Sequence, residues 1–140
     1  MRTIQEYFDL ISGVVERSRA ESIEVEFDRD QTAGTVDGVL YFYDGSRLEF
    51  TETVSIQRYR LVKLAYRYQY IRAGEVVFRY DNARHHPHLP SFPHHKHVGN
   101  EKLPAIEPTL SQVLNEVASL LGEEAESPPP TPRRRRRTRR

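Results

Sequence analysis

The chain has 140 residues and no cysteine. That excludes disulfides, a thiol nucleophile and a thiolate metal site, and it fits a cytoplasmic setting. Long apolar runs are missing too. The longest, Val39 to Tyr43, is far short of the roughly 20 residues that a bilayer span needs. Near the start, Gln5, Glu6 and Asp9 interrupt the apolar residues, so no secretory signal is expected there. There is no glycine-rich phosphate loop, no GxSxG elbow, no dinucleotide fingerprint and no HExxH helix. Any chemistry has to come from other residue types.

Charge is present in both signs but unevenly placed. The formal net charge is +1, yet the last fourteen residues, SPPPTPRRRRRTRR, hold seven arginines and no acid. Without them, 14 basic residues face 20 acidic ones, so residues 1–126 carry about −6. The sequence therefore divides into a single α+β domain over residues 1–122 and a disordered, proline- and arginine-rich basic tail over 123–140. A cationic run of this kind binds polyanions through counterion release, which makes nucleic acid its expected partner.

Periodicity sets the fold class. Ile4, Phe8, Ile11 and Val15, widened by Leu10 and Val14, predict an amphipathic helix from Thr3 to Arg17. The period then drops to two. Ile23, Val25 and Phe27 alternate with acids, and Gly34–Tyr43 is a second strand. Asp44-Gly45 is a strong hairpin signal before a third strand, Arg47–Ile56, which carries Leu48, Phe50, Val54 and Ile56 on one face with Glu52 among them. A fourth strand, Tyr59–Ile71, places Val62, Leu64, Tyr66, Tyr68 and Tyr70 together and Lys63, Arg67 and Gln69 opposite. Val76–Tyr80 is the fifth. Thr109-x-x-Gln112 then opens a helix whose stripe is Leu110, Val113, Leu114, Val117 and Leu121, with Gly122 as its stop. The expected fold is a five-stranded antiparallel β-meander with the N-terminal and C-terminal helices packed on one face.

The fifth strand leads into the most unusual segment. All six histidines, His85, His86, His88, His94, His95 and His97, fall within thirteen residues, stiffened by Pro87, Pro90 and Pro93. Imidazole ionises near neutral pH, so a histidine-rich loop is suited to acid–base chemistry or metal binding. Metal-independent RNA cleavage needs a base for the 2′-hydroxyl, an acid for the leaving 5′-oxygen and a cation for the phosphorane. Candidates for the chemistry are His85, His86, His94, His95, Lys96 and His97. Lys63, Arg67, Arg79 and Arg84 are candidates for holding the RNA backbone on the open sheet face, with Glu52, Tyr68, Asp81 and Asn82 supporting them. Neither a metal nor another cofactor is required. The rival reading is a non-catalytic binding module or a zinc site drawing on these imidazoles, with Asp81 or Glu101 as the oxygen ligand. Adjacent histidines in an extended segment point to opposite sides, so each pair could supply one ligand at most.

The stretch RYDNARHHPHLPSFPHHKHVG, with its DNA-x-HHP and FPHHKHVG elements, resembles the hallmark of the TumE family of toxins from toxin–antitoxin modules. YFDLI, DGS followed by LEFTETV, YRYQY and EPTLSQVLNEV are similar to the same family, in the same order, over roughly residues 5 to 121. Arg84 stands where proline is usual, and His88 where acids are common. The resemblance implies a growth-inhibiting protein held inactive by a cognate antitoxin. If that partner covers the histidine loop, it is expected to bring a basic segment or to contact the tyrosine-rich strand at Tyr68 and the loop at His95.

Overall fold

The computed structural model describes residues 3–84 and 91–121. Helix α1 (Ile4–Glu16) begins where the Thr3 side chain accepts from the Glu6 backbone N–H at 3.0 Å, which satisfies one of the donors a helix start leaves open. It buries Ile4, Tyr7, Phe8, Ile11 and Val15. Leu10, expected in the stripe, is exposed, and Tyr7 takes that place. Strands β1 (Ser22–Arg29), β2 (Ala33–Tyr41), β3 (Arg47–Gln57), β4 (Arg60–Arg72) and β5 (Glu75–Asp81) follow. Helix α2 (Leu110–Leu120) closes the described chain behind a Thr109–Gln112 capping box and buries Leu110, Val113 and Val117.

Two further strands, β6 (His95–Val98) and β7 (Glu101–Pro104), extend the meander to seven antiparallel strands in sequence order. This corrects the expected five, and it moves His95, Lys96 and His97 out of a loop into a strand. The cause is compositional: HKHV and EKLP, with one valine and one leucine between them, show no apolar alternation. Gly99-Asn100, the turn between them, has Gly99 at φ +58°, a conformation that glycine adopts without strain.

The two helices share one face of the sheet with Phe27, Val36, Leu40, Leu48, Tyr68 and Phe78, all buried. Each such side chain contributes on the order of 1.5–3 kcal/mol by leaving water. One irregularity changes the reading of β4. Thr53 pairs with Ala65 but Val54 pairs with Lys63, so Leu64 is an extra residue in the ladder. A bulge of this kind reverses the alternation on one side of it. Leu64, expected in the core, is exposed, and Lys63 turns inward. Asn82 repairs the ladder where β5 has ended, accepting from Tyr66 N at 3.0 Å and donating to Leu64 O at 3.0 Å.

Candidate functional site

The β5–β6 register sets Arg79 opposite His97 and Asp81 opposite His95. Cross-strand partners lie on the same side of a sheet, so all four side chains share the face away from the helices. His95 Nε2 is 2.6 Å from Asp81 Oδ1, and His97 Nε2 is 3.4 Å from Asp81 Oδ2. Arg79 Nε donates to Asp81 Oδ2 at 2.9 Å, and a terminal nitrogen of the same guanidinium lies 3.1 Å from His97 Nε2. A guanidinium only donates, so His97 Nε2 accepts in this contact and the ring proton sits on Nδ1. His95 Nδ1 donates to the Pro93 carbonyl at 2.9 Å, which fixes the orientation of that ring. The two imidazoles meet edge to face with centroids 4.8 Å apart. Exposure rises outward through the cluster: His95 1%, Asp81 8%, His97 13% and Arg79 31% of each side chain. The site therefore has a buried base and a lip of His97 and Arg79 that reaches water.

The same alternation sends His94 and Lys96 to the helix side. His94 stacks on Tyr66, with Nδ1 2.9 Å from the phenol oxygen. Lys96 Nζ pairs with Glu116 of α2 at 2.7 Å and lies over the rings of Tyr80 and Phe78. Burial works against its charge, but the hydrogen bonds to Glu116 and Tyr80 win and raise its pKa. Lys96 thus stands across the strand from His95 and His97, and not beside them as a histidine-rich loop would have it.

Glu52 lies on that helix face, fully buried, and among the described residues no histidine bonds to it. Tyr7 Oη donates to one carboxylate oxygen and Tyr68 Oη to the other. Lys63 Nζ is 3.6 Å from Glu52 Oε2 and donates to Tyr68 Oη at 2.5 Å and to Pro108 O at 2.8 Å. Desolvation, then the Glu52 charge, raises both phenol pKa values, and desolvation lowers that of Lys63. The expected place of Lys63 on the open face is corrected by the bulge: its side chain is only 7% exposed. Tyr68 and His95, expected at a partner surface, are likewise buried.

The open face is divided by charge. Over β1 to β3 it forms a shallow cavity of about 300 Å³ lined by Glu24, Glu26, Asp37, Glu49 and Thr51, which disfavours phosphate. Arg67 stands at its border and donates to Gln69 at 2.8 Å. Toward β7 the face carries Arg79 and His97, with Lys102 opposite His97. Arg84 is exposed and lies over the Phe92 ring at 5.6 Å. Asn82 serves the β4 backbone, and Glu101 is exposed at the far strand. His85, His86, His88 and the arginine tail lie outside the described residues.

Sequence reasoning missed the Pro93 carbonyl, Tyr7, Tyr66, Tyr80 and Glu116. Tyr7 was findable, since it stands three residues after Ile4 and four before Ile11 on the helical stripe. Glu116, three residues after Val113, sits at the edge of the second stripe. The carbonyl left no trace in the sequence. Among the described residues, no helix is long and apolar enough to cross a membrane. A family model described as Toxin TumE matches residues 8–121. Searches of curated proteins and of solved structures give no match.

Proposed function

Since the chain belongs to the TumE toxin family, and is thereby the toxin of a toxin–antitoxin pair, we propose that it inhibits growth by cleaving RNA without a metal. The observation that carries this reading is the convergence of His97, His95 and Arg79 on Asp81. His97 Nε2 takes the proton of a 2′-hydroxyl as Arg79 moves from the ring to the phosphate. The 2′-oxygen bonds to phosphorus, the bond from phosphorus to the 5′-oxygen breaks, and that oxygen takes a proton from a second imidazole. His95 is the one beside His97 among the described residues, at 4.8 Å between ring centres, and with 1% of its side chain exposed it has to turn out of the cluster to reach that oxygen. The products are a 2′,3′-cyclic phosphate and a 5′-hydroxyl. Asp81 orients His95 and Arg79, and Arg79 stabilises the added negative charge. Arg67 on β4 and Lys102 on β7 extend the cationic side of the face across the sheet. The basic tail serves as a sequence-independent tether to RNA.

The protein without its partner, incubated with defined RNA in EDTA, is expected to leave 2′,3′-cyclic ends, and a His97→Ala protein of unchanged fold is expected to leave none. No cleavage of several RNAs by folded protein would turn the reading toward a binding module or another target.

A further inference from the structure

We propose that Asp81, His95 and His97 also form a seat for a divalent transition ion of the zinc class, and that the ion switches the site off by displacing Arg79. The inhibitory half of this proposal rests on the RNA-cleavage reading, and the binding half does not.

One ligand atom from each residue lies within 4.8 Å of the other two. Both imidazoles aim Nε2 at a single carboxylate. His95 gives its Nδ1 proton to the Pro93 carbonyl, the outer contact that metal-bound histidines typically make. Two neutral imidazoles and a carboxylate suit zinc, cobalt, nickel or copper, and suit calcium or magnesium poorly. Neighbouring ligands on a tetrahedral zinc are about 3.3 Å apart, from bonds of about 2.0–2.1 Å. The 3.4 Å between His97 Nε2 and Asp81 Oδ2 already matches that spacing, and the three ligand atoms, at most 4.8 Å apart, have to draw together by about 1.5 Å at the widest. The histidines alternate on one face of β6 and the aspartate comes from its neighbour β5, so the donors stand on strands rather than on a loop.

Arg79 is the competitor. Its guanidinium touches Asp81 Oδ2 and His97 Nε2, the same atoms the ion needs. With 31% of its side chain exposed, it has room to leave for water. The cluster has one position for a cation and two claimants. Bound metal takes the His97 lone pair that would accept the 2′-hydroxyl proton, so the loaded site is silent.

The test uses the full chain, stripped with EDTA and then freed of it; metal binding is read in a background carrying His85→Ala, His86→Ala and His88→Ala, and RNA cleavage in the chain that keeps those histidines. Cobalt(II) is followed by its visible absorption and zinc(II) by calorimetry. One ion per chain is expected. His97→Ala is expected to weaken binding about 100-fold, and Arg79→Ala to tighten it about 10-fold, with unchanged circular dichroism. One equivalent of zinc is expected to lower RNA cleavage at least 10-fold. Absence of binding, or binding indifferent to His97→Ala and Asp81→Asn, overturns the site. Binding no tighter in Arg79→Ala overturns the competition. Cleavage without metal binding removes this proposal and leaves the ribonuclease reading intact. Binding without cleavage removes the ribonuclease reading and with it the inhibitory half. Cleavage lost in EDTA and restored by zinc makes the ion a cofactor and overturns the inhibitory role.

Discussion

Glu52 and Asp81 are both buried carboxylates on the same sheet, and they face opposite ways. Each is held by donors from its neighbours: two phenols and Lys63 around Glu52, and Arg79 and His95 around Asp81, with His97 beside them. The difference lies in where those donors end. Around Glu52 they come from α1 and β4 and close over it, and the most exposed of them, Tyr7 and Lys63, show water only 7–8% of their surface. Around Asp81 they come from β5 and β6 and finish at the exposed Arg79. An enclosed network links elements of the fold to one another. One with a solvent lip has donors left to offer a ligand. Burial of an ionisable group is therefore a poor sign of function until the far side of its network is known.

Breaking the enclosed network should produce the largest effect on stability. Glu52→Ala leaves Lys63 buried without its counter-charge and two phenols without an acceptor. A loss of about 3–5 kcal/mol is expected in urea unfolding. RNA cleavage per folded molecule should hardly change. If Glu52→Ala were as stable as the parent, the contrast between the two carboxylates would fail. At the other site the pattern reverses. His97→Ala is expected to reduce cleavage by about 10²–10⁴-fold while moving stability by less than about 1 kcal/mol.

A pH titration sharpens the contrast further. Burial lowers the pKa of Lys63 in the folded chain below its ordinary 10.5. Between the lowered value and 10.5 the unfolded state binds more protons, so stability rises with pH across that window. Tyr7 and Tyr68 are shifted upward by burial from an ordinary 10.0. Above pH 10 the unfolded chain loses these protons while the folded one keeps them, so stability falls by up to about 1.4 kcal/mol per pH unit for each phenol. Unfolding free energies of the parent, Lys63→Met and Tyr7→Phe from pH 7 to 11 would show it. The methionine variant should lack the rising limb, and the phenylalanine variant should fall less steeply. Identical curves for all three would remove the buried network as their source.

Much of this was legible because helices and apolar strands announce themselves by period. The stripe Ile4–Phe8–Ile11–Val15, the Thr109–Gln112 cap and the strands from Ile23 to Ile56 all depend on local spacing, which sequence carries directly. Lys63 was misplaced because a bulge at Leu64 is a property of two strands together. The Asp81–His95 and Arg79–His97 pairs require the β5–β6 register, and β6 itself has no apolar alternation to reveal it. Reading the histidine cluster as chemically promising needed only composition. Dividing HHKH into two faces needed the strand.

That division gives the smallest and most discriminating prediction. If Lys96 neutralised the phosphate beside His97, removing it would disable cleavage. Here it lies on the other face of β6, pairs with Glu116 at 2.7 Å and covers Tyr80. The pair is partly exposed, 22% and 29% of the two side chains, so water and salt weaken it and its worth is at most about 1 kcal/mol. Lys96→Met keeps much of the aliphatic cover over Tyr80 and removes the charge. It should lower the urea midpoint slightly, an effect that shrinks in high salt, with cleavage by the folded protein unchanged. A loss of cleavage as deep as that in His97→Ala, without a matching loss of stability, would place Lys96 in the chemistry. The active surface would then include the helix side of β6, and the line drawn between the two faces would have to move.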